Sequence, residues 1–280
     1  MNHAGKLFHN ALSASSQKIR LALAEKKLRW DSEEIDLRAG QQHSPAYRQL
    51  NPAGVVPTLV RDGETMVESS AILEYLDDVF PDQSLRPNDQ AERARMRALI
   101  RRLDDIHHAA NGFLTYAVLV RPSLLALDPT RLDAMIAAMP DARARASRRE
   151  AQELGVESPM FPDAVKTQIA LLDTMDGLLA RTDHLAGDAL SLADITALPY
   201  VARLDHMGWT ATLMDGRPRV ADWLARMRTR QAYAEAIDRW MPPAVVAQWL
   251  ALGQAAWPAA SHVLEFRPHG QNMTREPDKT

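Results

Sequence analysis

Cysteine is missing from all 280 residues. That absence excludes disulfides, thiolate metal sites and a cysteine nucleophile. An excess of one charge is missing too, because 33 Lys and Arg against 36 Asp and Glu leave a formal −3. Nucleic-acid binding needs a basic face to neutralise phosphates, and this balance does not supply one. Residues 1–6 lack the charged-then-apolar order of a signal peptide, which reads as a cytoplasmic protein. Long apolar runs are absent with one exception: residues 241–264 contain no Lys, Arg, Asp or Glu. Pro242, Pro243, Pro258, Gln248, Gln254, Ser261 and His262 interrupt that run, and alanine supplies much of its apolar content. It is expected to dock as a terminal segment rather than contact or span a membrane.

What is present is an ordinary globular composition, 46% hydrophobic and 25% charged, in a chain long enough for two domains. The first eighty residues alternate strand and helix signals. A strand over 6–9 leads into Ser13-Ala14-Ser15-Ser16, and Ile19, Ala22 and Leu23 then recur at helical spacing through Lys26. A second strand is expected over 29–36. Asn51-Pro52-Ala53-Gly54 marks a turn before the apolar run 55–60, and Asp62-Gly63 separates that run from 64–67 as a hairpin. Ser69 can cap the next helix, whose apolar stripe is Ile72, Leu73, Leu76, Val79 and Phe80.

The prolines Pro81 and Pro87 read as a linker with its boundary near residue 85, and the remainder reads as helical. Helices are expected over 90–120, 129–139, 141–154, 161–182, 192–208 and 217–239. Arg143, Arg145, Arg148 and Arg149 interleave with alanine, the pattern of a solvated helix face. Ser191-Leu192-Ala193-Asp194 has the form of a capping box with Asp in place of Glu. The expected division is therefore an α/β domain over 1–82, a linker over 83–90, an all-helical domain over 91–257 and a polar tail over 258–280.

A β-α-β then β-β-α order with Val56-Pro57 opening the third strand resembles a thioredoxin-like fold. With an all-helical domain behind it, the chain resembles a soluble glutathione transferase over residues 6–245. The motifs carrying the resemblance are the Ser-containing first loop, Asn51-Pro52-x-Gly54-x-Val56-Pro57, Glu68-Ser69-x-x-Ile72 and Ser191-Leu192-Ala193-Asp194. The resemblance implies glutathione as co-substrate, a small aromatic electrophile as second substrate and a homodimer. It also implies a cis Val56–Pro57 bond, with Val55, Val56 and Pro57 at the cysteinyl unit and the Val56 main chain pairing with it like one more strand. The alternative is a proline that merely ends a turn.

Glu68 and Ser69 stand where a strand meets a helix N-terminus, whose free N–H groups and positive dipole end suit a carboxylate. The resemblance implies that Ser69 holds the γ-glutamyl carboxylate and Glu68 the ammonium; a cap and a surface acid are the alternative. Gln42 and His43 lie where family members contact the glycyl end, with a plain surface loop as the alternative. Neutral Gln and partly charged His make a weaker carboxylate seat than Lys or Arg.

An unperturbed thiol with pKa about 8.5 is only about 3% ionised at pH 7. A hydrogen bond to a charged acceptor contributes about 1.5–3 kcal/mol, enough to make thiolate a major species. Ser13, Ser15 and Ser16 compete for that donor role. Ser13 holds the family's usual loop position, and Ser16 also suits a helix N-cap. The loop is similar to a Ser-x-Cys-Ser pattern of glutathione-dependent reductive dehalogenases. The absence of cysteine removes the resolving thiol that such chemistry requires. The stretch 138–163 resembles bacterial β-etherases, in which glutathione thiolate displaces a phenolate. The acceptor pocket is expected between the first loop and the helix around 100–120, with His107, His108, Asn111, Phe113 and Tyr116 as candidate lining. Adjacent histidines on a helix diverge by about 100 degrees, so no metal site is expected there. A non-catalytic ligand-binding protein or a membrane-associated relative of the same fold are the other readings.

Overall fold

A computed structural model describes residues 3–265. Strand β1 (His3–His9) runs into helix α1 (Ala14–Glu25) and then β2 (Arg29–Glu34), a right-sized unit for a parallel β-α-β pair. A short helix α2 (Pro45–Leu50) precedes β3 (Thr58–Arg61), β4 (Glu64–Met66) and α3 (Ser69–Val79). The sheet order is β2-β1-β3-β4, with β3 antiparallel to both of its neighbours. Leu7 and Leu59, paired across β1 and β3, are fully buried together with Ile19, Ala22, Ile72 and Leu76. The β3–β4 hairpin turns on Asp62 and Gly63 at φ 53° and 85°. Two consecutive positive φ values match the right-handed strand twist. The outer strand β2 carries Asp31, Ser32, Glu33 and Glu34, charge that discourages pairing with another chain at that edge.

Asp77, near the end of α3 and fully buried, ties the connection to this unit. It accepts from Lys26 Nζ at 2.8 Å, Leu85 N at 2.7 Å, Ser84 Oγ at 2.9 Å and Arg86 Nε at 2.7 Å. Burial alone would raise its pKa, but Lys26 and these hydrogen bonds hold it below the usual value. Leu85 O in turn accepts from Leu192 N at 2.8 Å, so the connection is stapled at both ends.

Beyond it, one continuous helical rod comprises α4 (Gln90–Arg102), α5 (His108–Leu114) and α6 (Arg121–Leu124), joined by π-helical turns at Leu103–His107 and Thr115–Val120. A hairpin follows, α7 (Pro129–Ala137) and α8 (Ala142–Glu153), then α9 (Met160–Leu179). Helix α10 (Leu192–His206) is buried on all sides through Leu204, the mark of a central core helix. Helices α11 (Thr210–Leu213), α12 (Pro218–Arg228) and α13 (Gln231–Ala236) come next. The single helix expected over 217–239 is thus broken at Thr229–Arg230. The break brings Arg230 to Glu25 of α1 in a two-pronged ion pair at 2.6 and 2.8 Å, a tertiary contact no local pattern announces.

The uncharged stretch forms α14 (Pro243–Glu265). It lies against the end of α10, where Trp209 Nε1 donates to Gly253 O at 2.8 Å. A Cβ on Gly253 would stand only 2.1 Å from Met207 O, so the close approach requires glycine. The boundary expected at 257/258 falls inside this helix and is corrected. Pro258 is an interior proline, and buried Trp249, Ala256, Ala260 and Val263 carry the same packed face past it, so packing outweighs the proline penalty. Most of the expected polar tail, from Arg267 on, lies outside the described residues. No helix among the described residues is long and apolar enough to cross a membrane.

Candidate active site

Strand register brings four loops to one end of the sheet. Phe8, near the end of β1, pairs with Thr58 at the start of β3, and Leu59 pairs with Met66 at the end of β4. Strand β2 runs parallel to β1 and ends at the same side. Residues 10–13, 35–44, 55–57 and 67–69 therefore all emerge along one sheet edge.

The Asn51–Thr58 turn is pinned from inside. Buried Asn51 Nδ2 donates to Val55 O at 2.9 Å and Thr58 Oγ1 at 3.1 Å, and Tyr47 Oη donates to Val55 O at 2.7 Å. The Val56–Pro57 bond is cis. Val55 is exposed, Pro57 is buried, and the Val56 main-chain N–H and C=O have no hydrogen-bond partner among the described residues. A buried main chain with both groups unpaired offers an extended ligand a strand to pair with.

Glu68, not Ser69, occupies the N-cap of α3, and its side chain makes no capping bond. Its φ of 66° and ψ of 111° are strained for a residue with a Cβ. Ser69 is the first helical residue, so the capping role expected for it is not taken up. The first N–H groups of α3 consequently stay open toward the sheet edge. If they receive a carboxylate, Ser69→Ala combined with Glu68→Ala raises the glutathione KM about tenfold or more with kcat nearly unchanged. An unmoved KM in steady-state kinetics rejects that anchor.

The three serines of the first loop separate clearly. Ser13 is the N-cap of α1: its Oγ accepts from Ser16 N at 3.3 Å, and its own proton remains free to donate. Ser16 is fully buried inside the helix and its Oγ accepts from Asn10 N at 3.2 Å, so the N-cap reading of Ser16 is corrected. Ser15 is half-buried and unbonded among the described residues. The loop carbonyls are turned inward onto two buried arginines. Arg20 donates to Asn10 O at 3.0 Å and Ala11 O at 2.8 Å, while Arg203 of α10 donates to Leu12 O at 2.6 Å. Arg203 is stacked on Trp249 of α14, and burial pushes its guanidinium down to about 9, still protonated at neutral pH. Two cations below and a free hydroxyl above make this loop a favourable place for an anion.

Along the rod, His108, Gly112, Thr115 and Tyr116 share the open face, at the i, i+4, i+7, i+8 spacing of one helix side. Nothing stands within 4 Å of a Cβ placed on Gly112, so the wall is recessed there. The His108 ring is 3.2 Å from Tyr200 Oη and keeps an edge open to solvent. Surrounding protein and the Lys18 ammonium hold its pKa below the ordinary imidazole value, leaving it neutral at pH 7. Tyr116 is half-buried beneath the Arg148 guanidinium. The other candidates turn away: His107 is buried against α9, where its C=O accepts from Gln168 Nε2 at 3.0 Å, and Phe113 and Asn111 are 4% exposed. Gly112 and Thr115 were missed by sequence reasoning, although the spacing from His108 to Tyr116 carries the signal.

Also missed was the bridge under the cleft. Buried Lys18 Nζ lies 2.9 Å from Asp104, and Asp104 accepts from Ser70 Oγ of α3. Lys18 also sits 5.0 Å from the Tyr200 ring. A lysine within the apolar run of α1 was the available clue. Gln42 and His43 form a 3-10 turn after β2, with Gln42 Oε1 and His43 Nδ1 buried and unpaired among the described residues. His43 packs on Gly54, where a Cβ would come 2.8 Å from its Nδ1.

Comparison with known proteins matches this arrangement. The family description "Glutathione S-transferase, N-terminal domain" matches residues 12–79, and "Glutathione S-transferase, C-terminal domain" matches residues 140–226. Protein LigF of Sphingobium sp. (strain NBRC 103272 / SYK-6) is 27% identical over 240 residues, covering 84% of this chain and 93% of that protein. Glutathione S-transferase F10 of Arabidopsis thaliana is 25% identical over 232 residues, covering 83% and 96%. The crystal structure of the β-etherase LigF superposes with a TM-score of 0.76, covering 84% of this chain and 98% of that one. Two matched domains, a sheet that gathers the expected loops and a shared fold lead to one conclusion: this chain belongs to the glutathione S-transferase family, whose co-substrate is glutathione.

Proposed function

We propose that the protein is a glutathione transferase in which Ser13 stabilises the glutathione thiolate for attack on an aromatic electrophile. The observation that carries this reading is the convergence, at one sheet edge, of an unpaired Val56 main chain, an uncapped α3 N-terminus and a free Ser13 hydroxyl. The cysteinyl main chain pairs with Val56, the γ-glutamyl carboxylate meets the N–H groups of Ser69 and its neighbours, and Glu68 receives the ammonium. The sulfur then lies over Ser13, whose proton donates to it while Ser16 N–H holds the hydroxyl oxygen.

The absence of cysteine leaves the glutathione sulfur as the nucleophile and excludes a resolving thiol of the protein's own. The reaction this favours is substitution. A sulfur–carbon bond forms while the carbon–oxygen bond of a β-aryl ether breaks, and phenolate departs with the electron pair and later takes a solvent proton. The recessed wall at Gly112, flanked by neutral His108 and the Tyr116 ring, suits an aromatic acceptor. The likeness to a β-etherase supports that acceptor class, and a homodimer belongs to the same reading.

The test is an ultraviolet titration of the glutathione thiolate on the protein, followed by turnover with β-aryl ethers. The bound thiol is expected to titrate about one to two units below its ordinary 8.5. Binding without thiolate formation below pH 8 would reject catalysis and leave a ligand-binding role.

A further inference from the structure

Beneath the cleft runs a chain of polar groups that thiolate formation does not use. Lys18 Nζ lies 2.9 Å from Asp104, which also accepts from Ser70 Oγ beside the α3 N-terminus. The same ammonium faces Tyr200 of α10, 5.0 Å from its ring centre. Tyr200 Oη in turn is 3.2 Å from Nδ1 of His108, which stands one helical turn along the rod from Asp104. Lys18 and Tyr200 are fully buried, whereas His108 is exposed. The chain therefore starts on an ammonium sealed in the protein and ends on an imidazole open to the cleft.

Donor and acceptor roles along this chain decide which ring nitrogen of His108 holds the proton. An ammonium only donates, so Tyr200 Oη turns a lone pair to Lys18 and its single proton to His108 Nδ1. Nδ1 then accepts, and the neutral ring carries its proton on Nε2. Nδ1 faces the buried tyrosine, which leaves Nε2–H on the open side of the ring, without a partner among the described residues. Surrounding protein and the nearby Lys18 charge keep the imidazole in this neutral form. Next along the same face is Gly112, where nothing within 4 Å meets an added Cβ. A flat ring seated in that recess has its substituent oxygen beside the turn that carries His108.

We propose that His108 is a catalytic hydrogen-bond donor, whose Nε2–H holds the aryl oxygen leaving the acceptor while the departing ring sits in the Gly112 recess. This rests on the thiolate attack on a β-aryl ether proposed above. Displacement at carbon sends the leaving oxygen away from the attacking sulfur, which comes from the Ser13 side, and toward the rod. As the sulfur–carbon bond forms, the carbon–oxygen electron pair moves onto oxygen, and the donor meets that charge as it develops. The imidazole lends a hydrogen bond and keeps its proton, so phenolate departs as the anion and takes its proton from solvent. Tyr200 is a positioning residue that holds the ring proton on the nitrogen facing the substrate.

The experiment is steady-state kinetics with glutathione and two β-aryl ethers that differ only in the leaving phenol, 4-nitrophenol or the far less acidic 4-methoxyphenol. His108→Phe is expected to lower kcat about tenfold to a hundredfold with the methoxyphenol ether and only about two- to threefold with the nitrophenol ether, whose leaving oxygen needs little help. His108→Gln, which keeps an N–H, is expected to recover part of the loss. Tyr200→Phe is expected to show a smaller loss with the same leaving-group dependence. The ultraviolet titration of bound glutathione thiol, unchanged in each variant, certifies an intact fold and thiolate seat. An equal loss on both ethers, or a titration displaced upward in His108→Phe, overturns the proposal. So does a leaving-group-dependent loss in Tyr116→Phe with none in His108→Phe. Absence of bound thiolate or of ether turnover in the wild-type protein overturns the reading on which the proposal rests, and is told apart because it needs no variant.

Discussion

Replacing Ser13 with alanine is expected to lower kcat about twentyfold at pH 7 while leaving glutathione affinity within about twofold. The magnitude follows from the thiolate fraction. A bound thiol held near pKa 6.5–7 is about half to three-quarters ionised at pH 7, and one returned to about 8.5 is only about 3% ionised. The deficit should therefore close as pH rises past 9, where both proteins carry thiolate. Since a more basic thiolate is the better nucleophile, the variant regains full rate there. A pH-rate profile displaced upward by one to two units is the signature. Unchanged turnover moves the role to Ser15, because the Ser16 hydroxyl is fully buried. Ser13 also caps α1, so a modest fall in stability of about 1 kcal/mol accompanies the change. Measuring kcat well below the melting transition separates the two effects.

The largest effect on stability is expected at Asp194. Its carboxylate is fully buried and accepts from Leu185 N at 3.0 Å, Ser191 N at 3.0 Å, Ser191 Oγ at 2.8 Å and Trp223 Nε1 at 2.9 Å. One side chain thus holds the start of α10, the preceding turn and α12 together. Asp194→Ala leaves at least three buried N–H donors without an acceptor, each costing about 1–3 kcal/mol. A loss of about 3–5 kcal/mol in denaturant unfolding is expected, a large share of the usual stability of a folded domain. A loss below 1 kcal/mol would show that water replaces the carboxylate. The consequence reaches the site, because the last turn of α10 carries Arg203, which holds the Leu12 carbonyl of the first loop.

Local signals were readable wherever a residue's own chemistry dictated its conformation. Asp62-Gly63 turned the hairpin because two positive φ values are cheap there. Ser191 and Asp194 marked the start of α10 because the side chain reaches the helix's own free N–H groups. The stripe of Ile72, Leu73 and Leu76 fell on the core face for the same local reason. The candidate site was readable as loops, though not as side-chain directions. His107 and His108 are neighbours in sequence, yet one is buried against α9 and the other opens on the cleft. The π-helical turns on either side of α5 shift its faces, which a regular 3.6-residue period cannot anticipate.

Sequence by itself determined the order of elements, the turns, the helix caps at α10 and the absence of any protein thiol, because each depends on residues a few positions apart. Tertiary structure alone decided which serine caps α1, which histidine faces the cleft and which α8 arginine turns inward. It also decided that the uncharged segment packs on α10 past Pro258. Those choices depend on residues scores of positions apart competing for the same buried space. Burial and charge pairing at contact distance settle that competition, and linear spacing does not encode them.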